Sequence, residues 1–516
     1  MTIEHDDLLN ALGSIWGAHA PTEPTAALLT RTPTGESRML IDGELTEAAS
    51  GNIFLNIDPT TETPLGEVAD AGPEDIDRAI SAARRAFDTT SWSTDPALRR
   101  HCLMQLHAAL TRSADQLRAT AVRETGIAVR TTYAFHSDLS ISYIPYFAEL
   151  ATNYEYEHPL PDQPWAPGTK RLVRHEAVGV VAAITPWNFP LYSLITKLAP
   201  ALAAGSTVIL KPAPQSPWHA TLIARIISEE TDFPPGVINI VPTADNAVAE
   251  ILTRDPRIDM VHFTGSTIVG KRVMANAAER VARVSLELGG KSANILMPDV
   301  DLDAVLPVAA GMVCMNAGQG CVLPTRMLVP RTRYHEATEL AKLIYETIPY
   351  GDPADPDVVF GPQISSLQRD RILGLVGKGV DEGARLIAGG GKPSRFDKGF
   401  FMEPTLFIDV HPDSTIAQQE IFGPVLSITP YETVGEAIDI ANNSTYGLAC
   451  NIWGSDEDEA TAVSRRIRAG AVSINGGLFY APDLAIGGFK QSGLGRESGI
   501  EGFEEFLETK AIAIGQ

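Results

Sequence analysis

The sequence predicts an α/β protein built from two parallel-sheet units and a small β arm, on three observations. Short runs of β-branched and small apolar residues at 178–185, 207–210, 237–241 and 260–264 alternate with stretches of helical periodicity. Strands buried on both faces between helices are the mark of a parallel sheet. The alternation starts afresh beyond Asp299, and 516 residues at roughly 150 per domain leave room for two to four domains, each with its own core.

In chain order, residues 1–35 read as a weak amphipathic helix around Leu8, Leu12 and Trp16, then a Pro/Thr-rich stretch from Pro21, together a mobile leader. From 76 to 85 and from 99 to 125 the apolar residues recur at three and four, with Leu103, Leu106, Leu110 and Leu117 on one face, which predicts amphipathic helices. Between Tyr154 and His175, Pro159, Pro161, Pro164, Pro167 and Gly168 exclude a helix, while 169–174 alternates charged and apolar side chains like an exposed strand of an arm or edge hairpin. The buried strands 178–185 and 207–210 follow, with a helix between them and another at 218–231. Then come strands 237–241 and 260–264, a helix 267–281, and strands 284–288 and 293–296. The second unit has a helix 304–315, a strand 327–329, a helix 334–346 and further pieces to Arg468, without an internal repeat.

Composition narrows the partners. Charged residues are 20% of the chain and the net charge is −23, which repels nucleic-acid phosphates and anionic lipid, and no basic stripe offsets it. The longest apolar stretch, 177–185, is about half a membrane span, and Glu4, Asp6 and Asp7 replace the basic head of a signal peptide. A soluble, cytoplasmic protein without nucleic-acid or membrane partners is expected. The four cysteines, Cys102, Cys314, Cys321 and Cys450, include no C-x-x-C pair, so no metal site is expected and context must single out any reactive thiol.

Several motifs supply chemistry-bearing side chains at strand ends, where open α/β sheets place ligand crevices. The turn Thr185-Pro186-Trp187-Asn188-Phe189-Pro190 presents Asn188 either as a donor to an oxyanion or as a helix cap. Lys211, in Leu210-Lys211-Pro212-Ala213-Pro214, offers a cation to a polyol or phosphate, or is simply solvated. In Phe263-Thr264-Gly265-Ser266-Thr267 a strand breaks into a helix whose first-turn N–H groups and Ser266 hydroxyl suit an anion, although G-x-G-x-x-G is absent. Glu287 lies in an apolar strand before Gly289-Gly290; burial would raise its pKa towards that of a general base, unless it is ion-paired. Finally, Asn316-Ala317-Gly318-Gln319-Gly320-Cys321 places glycines beside one thiol, and Glu420 in Gln419-Glu420-Ile421-Phe422-Gly423-Pro424 is another acid in apolar company. Cys102, Cys314 and Cys450 read as packing.

In this order the motifs resemble the aldehyde dehydrogenase superfamily over about residues 40–516. The resemblance implies a Rossmann-like cofactor domain (38–153 and 177–287), a catalytic domain (288–490), an oligomerisation arm (154–176 and 491–516, with a last strand through 510–514) and the leader (1–37). It implies Cys321 as nucleophile, Glu287 as general base, Asn188 with the Cys321 backbone N–H as oxyanion hole, and Lys197 as support for proton relay. Around the cofactor it implies Thr185, Pro186 and Trp187, Lys211 at the adenosine ribose, Gly265 and Ser266 at the pyrophosphate, Leu288 beside the ring, Glu420 at the nicotinamide ribose, and Phe422. The run from Gly487 to Glu497 also looks like the family's, and homodimers or homotetramers are its habit. Where many NAD-specific members carry a glutamate three residues after the lysine, this chain has Pro214, which leaves NADP open beside the expected NAD.

The expected reaction is oxidation of an aldehyde to the carboxylic acid through a thiohemiacetal and a thioester. CoA-acylating semialdehyde oxidation and non-redox thiol esterase activity are the alternatives, and Glu287 argues against the first. Val322-Leu323-Pro324 after the thiol, with Phe189, Tyr192, Phe422 and Ile486, point to an apolar substrate tunnel and an aliphatic, aromatic or terpenoid aldehyde.

Overall fold

The computed structural model describes residues 35–515; nearly all of the 1–37 leader therefore lies outside the described residues. Among those described, the strands form four sheets. The first is eight-stranded. Its centre is five parallel strands in the spatial order Arg283–Glu287, Met260–Thr264, Val180–Ile184, Thr207–Lys211 and Ile238–Ile240. Residues alternate across it: Val181 and Ala183 pack into one core with the Pro190–Ala204 and Trp218–Glu230 helices, while Val180 and Ala182 pack into the other with the Pro73–Thr89 helix. Val180–Ile184 is flanked by Thr207–Lys211 on one side and by Met260–Thr264 on the other. The strand order therefore reverses between Ile184 and Thr264, and a crevice opens at their carboxyl ends.

The second sheet is seven-stranded, six of its strands parallel, in the order Arg385–Ala388 (antiparallel edge), Thr405–Ile408, Val425–Tyr431, Arg326–Pro330, Ala293–Leu296, Ala449–Trp453 and Ala471–Ile474. The third joins Glu157–Pro159, Thr169–Ala177 and Leu507–Gly515, all antiparallel; the fourth is the Ile53–Asp58 and Thr63–Ala69 hairpin. No helix among the described residues is long and apolar enough to cross a membrane.

Three elements differ from expectation. The periodic stretch 99–125 is two helices, Pro96–Arg112 and Ala114–Thr125, because Ser113 (φ −93°, ψ 5°) leaves helical geometry while Leu103, Leu106, Leu110 and Leu117 stay buried. The 169–174 strand is no edge: nine register pairs with Leu507–Gly515 cover one side and Glu157–Pro159 the other. The 304–315 helix, Leu302–Gly311 in the structure, gives way to a 3-10 turn at Met312–Gly318, with Met315 extended and Asn316 and Ala317 left-handed.

Candidate active site

The thiol loop is built from strain and glycine. Asn316 (φ 48°) and Ala317 (φ 54°) lie in the left-handed region, which Asn tolerates but Ala enters at a cost of about 1–2 kcal/mol. Gly318 (φ +75°) then passes so close to the Gly423–Pro424 backbone that a Cβ would lie 1.9 Å from the Gly423 carbonyl carbon. Such local strain persists only where neighbours enforce it, and here they do. Gln363 Nε2 donates to the Ala317 carbonyl (2.8 Å), and Ile364 N donates to Gln319 Oε1 (2.9 Å). Asn188 joins the clasp from the 185–190 turn: its Nδ2 donates to the Gln319 carbonyl at 2.9 Å, and Asn316 Nδ2 donates to the Asn188 carbonyl at 2.9 Å. Asn188 is thus held against the segment that delivers Cys321. Of the four cysteines Cys321 alone is part-exposed; the other three are buried, Cys102, Cys314 and Cys450 each in an apolar cluster.

Glu287 ends its strand opposite Thr264 on one side and Gly493 on the other. The two glycines that follow let three segments meet. A Cβ on Gly289 would lie 2.3 Å from Glu420 Oε2, and one on Gly290 would lie 2.3 Å from the Cys321 carbonyl oxygen. The Gly290 N–H donates to Glu420 Oε1 at 3.0 Å, while Ser492 closes the other side, its Oγ donating to the Gly289 carbonyl at 2.8 Å.

One cavity of about 350 Å³ is lined by Pro186, Trp187, Asn188, Thr264, Gly265, Ser266, Glu287, Leu288, Gly289, Cys321, Glu420 and Phe422, together with Ile268, Gln368 and Arg371. Ser266 is the N-cap of the Thr267–Ala278 helix, so first-turn N–H groups point into the crevice mouth. Trp187 and Phe422 meet edge to face at 5.4 Å, and Arg371 anchors that wall by donating to the Glu420 and Ile421 carbonyls, each at 2.7 Å. Thr185, Lys211, Pro214 and Lys197 do not line this cavity. Lys211 ends the next strand, buried, and its carbonyl accepts from Thr185 N at 3.1 Å. Lys197 lies behind the site, its Nζ donating to Thr264 Oγ1 at 2.6 Å and to the carboxylate of Glu497. Glu497 is the member of this group that sequence reasoning passed over. It stands inside the Gly487-to-Glu497 run, but its pairing with Lys197 spans 300 residues and leaves no local trace.

Burial sets the electrostatics. The Cys321 thiol is pushed up to about 12, first by desolvation and then by the charges of Glu420, Glu287 and Glu497. It rests protonated, and a base must take the proton as sulfur attacks. The Glu287 carboxyl is held well above the usual range by burial and by Glu497, against the pull of Lys197, and its Oε1 has no hydrogen-bond partner among the described residues. Glu420 is raised to about 7 by burial, opposed by the Gly290 N–H, and desolvation lowers Lys211 to about 8.

A second cavity, about 70 Å³ and without a charged side chain, adjoins the thiol loop. Its walls are Phe135, Met312, Met315, Val322, Leu323 and Pro324, and Leu478, Phe479 and Tyr480, with Trp453 and the small or polar Thr131, Asn451, Ser473, Gly476 and Gly477. None of the four residues expected to line a substrate tunnel lines this cavity. Phe422 belongs to the first cavity; Phe189 and Tyr192 pack behind Phe135 (5.1 and 5.3 Å between centroids); Ile486 is tied to Glu497 by a two-way backbone bridge. Phe135 reaches this cavity from the Thr132–His136 π-turn, and Leu478, Phe479 and Tyr480 reach it from the 476–480 loop.

A part-exposed thiol, an unpaired buried acid and a clasped amide at one cavity are the parts of covalent catalysis on an α/β scaffold. The family model described as aldehyde dehydrogenase family matches residues 45–512. A 3-succinoylsemialdehyde-pyridine dehydrogenase of a Pseudomonas species is 41% identical over 477 residues, 92% of this chain and 97% of its own. Among solved structures, a Mycobacterium tuberculosis aldehyde dehydrogenase complexed with NAD+ superposes with a TM-score of 0.89 at 40% identity, covering 93% of this chain and 98% of that one. A mutant of Pseudomonas syringae aldehyde dehydrogenase C, complexed with NAD+ and octanal, gives 0.88 at 38% identity, with coverage of 93% and 97%. The chain belongs to the aldehyde dehydrogenase family and is an enzyme of aldehyde oxidation.

Proposed function

We propose that this enzyme oxidises an apolar aldehyde, aliphatic, aromatic or terpenoid, to its carboxylic acid with NAD. The supporting observation is that Cys321 lines the sheet-crevice cavity with Glu287 and Glu420, while Val322, Leu323 and Pro324 directly after it line a cavity without a charged side chain. The substrate carbonyl enters from the apolar side and the cofactor from the other. The fit of NAD rests on Gly289, where any side chain would collide with Glu420, and on the open helix N-terminus at Gly265 and Ser266. Thr185, Pro186, Trp187, Lys211, Pro214, Leu288, Glu420 and Phe422 hold the remainder, and NAD complexes of the similar M. tuberculosis and P. syringae enzymes support the choice. When bound, NAD supplies the hydride acceptor.

The chain's own residues do the rest. The Cys321 proton passes to solvent water, and the thiolate sulfur adds to the carbonyl carbon. Asn188 Nδ2 and the Cys321 N–H donate to the resulting oxyanion, each worth about 3 kcal/mol by analogy with other oxyanion holes. After hydride loss a thioester remains on Cys321. Glu287 then deprotonates water for its hydrolysis, and Lys197 with Glu497 carries the proton away behind it.

In this reading residues 38–153 and 177–287 form the cofactor domain and 288–490 the catalytic domain. Residues 154–176 and 491–516 form the arm through which a homodimer or homotetramer assembles. Octanal and benzaldehyde with NAD, followed at the reduced-nicotinamide band against succinic semialdehyde and betaine aldehyde, test the substrate. The highest kcat/KM on either charged aldehyde would overturn the apolar assignment.

A further inference from the structure

Behind Glu287 lies a histidine that the mechanism above leaves unused. His262 is two residues before Thr264 on the Met260–Thr264 strand, so both side chains face the helix carrying Lys197. His262 Nδ1 is 3.7 Å from Glu497 Oε1, and its ring stacks on Phe506 at 5.4 Å and 18°. The side chain is 1% exposed, and neither ring nitrogen has a hydrogen-bond partner among the described residues. Buried polar atoms are paired as a rule, so an orphaned imidazole beside a carboxylate calls for a reason. The groups facing it are Lys197 from the Pro190–Ala204 helix, Glu497, Thr264 on its own strand, Ala183 and Ser285 on the flanking strands, and Phe506. Burial and the Lys197 charge keep the ring neutral.

On the proposed mechanism, Glu287 gains a proton from the hydrolytic water and must lose it before the next turnover. Glu497 is the neighbouring base, but once protonated it becomes a buried O–H donor in need of an acceptor. Lys197 Nζ has no lone pair while protonated, and Thr196 Oγ1 sits as a donor on the other carboxylate oxygen, 3.4 Å from Oε2; His262 Nδ1 is the acceptor that faces Oε1. We infer that His262 is a positioning residue whose Nδ1, in the Nε2–H tautomer, accepts a hydrogen bond from protonated Glu497, making Glu497 the transient holder of the proton that Glu287 sheds. One O–H bond breaks on Glu287 and one forms on Glu497; the imidazole takes up no proton and no electrons move. Closing the 3.7 Å gap to hydrogen-bond length needs a shift of about 1 Å.

This inference rests on the role proposed for Glu287, so the test separates the two. His262→Phe keeps the stacking on Phe506 without a ring nitrogen, whereas His262→Gln offers an amide oxygen as acceptor. With octanal and NAD, both variants are expected to release the first equivalent of reduced nicotinamide as fast as the parent enzyme. Steady-state kcat of His262→Phe should fall roughly tenfold at neutral pH, the effect of one unsatisfied buried donor. The acid limb of its pH profile should move to higher pH, because Glu287 keeps its proton longer, and His262→Gln should recover most of the loss. A His262→Phe enzyme with parental kcat and pH profile overturns the inference, as does equal slowing in both variants or loss of the first turnover. Glu287→Gln is run alongside. If it turns over normally, the failure lies in the assignment of Glu287 as base.

Discussion

Gly290 is where the active-site geometry is most exposed to a single methyl group. Its Cβ would lie 2.3 Å from the Cys321 carbonyl oxygen and 3.2 Å from Leu448 Cβ, while ordinary contact begins near 3.4 Å. Gly290 is not among the residues with positive φ, so alanine is sterically wrong there without being conformationally wrong. Gly290→Ala must therefore push the Glu287 segment and the thiol loop apart by about 1 Å, a displacement that costs on the order of 100-fold in rate when it separates reacting groups. The overpacking itself should destabilise by about 1–3 kcal/mol. Stopped-flow absorbance of reduced nicotinamide with octanal reads the first, and a denaturant midpoint reads the second. Gly377→Ala is the control: it lies in the Ser366–Asp381 helix with nothing within 4 Å of its Cβ. It should leave kcat unchanged and raise stability by about 0.5–1 kcal/mol. A Gly290→Ala enzyme with kcat within about twofold of the parent, against that expected loss, would refute the argument that this glycine sets the approach of acid to thiol.

Three further outcomes are expected. Pro214→Glu should raise the KM for NADP and lower that for NAD, each by about tenfold, since a carboxylate there accepts from a ribose hydroxyl and repels a 2′-phosphate; parallel titrations with the two cofactors check it. Because the Glu287 carboxyl is held above its ordinary value, its base form is lost as pH falls, so steady-state kcat should decline at a higher pH than an ordinary carboxylate would impose, while Cys321 acylation is tracked separately by the first-turnover amplitude. Glu497→Gln removes one source of the upward push on Glu287 and the partner of Lys197. The acid limb should then shift to lower pH, with kcat falling about tenfold through loss of the relay.

Much of the architecture was legible because it rests on local pattern. The strands Val180–Ile184, Thr207–Lys211 and Met260–Thr264 are covered on both faces, so they read as mainly apolar runs, and Gly289-Gly290 marks a close approach that any side chain would block. What stayed hidden depends on distant partners. The 169–177 strand is central because residues 507–515 return to pair with it; the family resemblance joined the arm to a last strand at 510–514, but nothing near Thr169 itself announces the pairing. The apolar cavity draws Phe135 from a π-turn and Tyr480 from a loop, with ring centroids 4.4 Å apart. Glu497 and His262 each lie in runs whose spacing suits a turn or a strand, and they acquire a chemical neighbourhood only when the fold brings them together beside Lys197.

The most direct test of the central claim is one stopped-flow trace. Glu287→Gln mixed with octanal and NAD should release one equivalent of reduced nicotinamide per Cys321 and then run at least about 100-fold slower than the parent, while Cys321→Ala releases none. Sustained parental turnover by Glu287→Gln, or reduction of NAD by Cys321→Ala, would contradict a thioester formed on Cys321 and hydrolysed with Glu287 as its base.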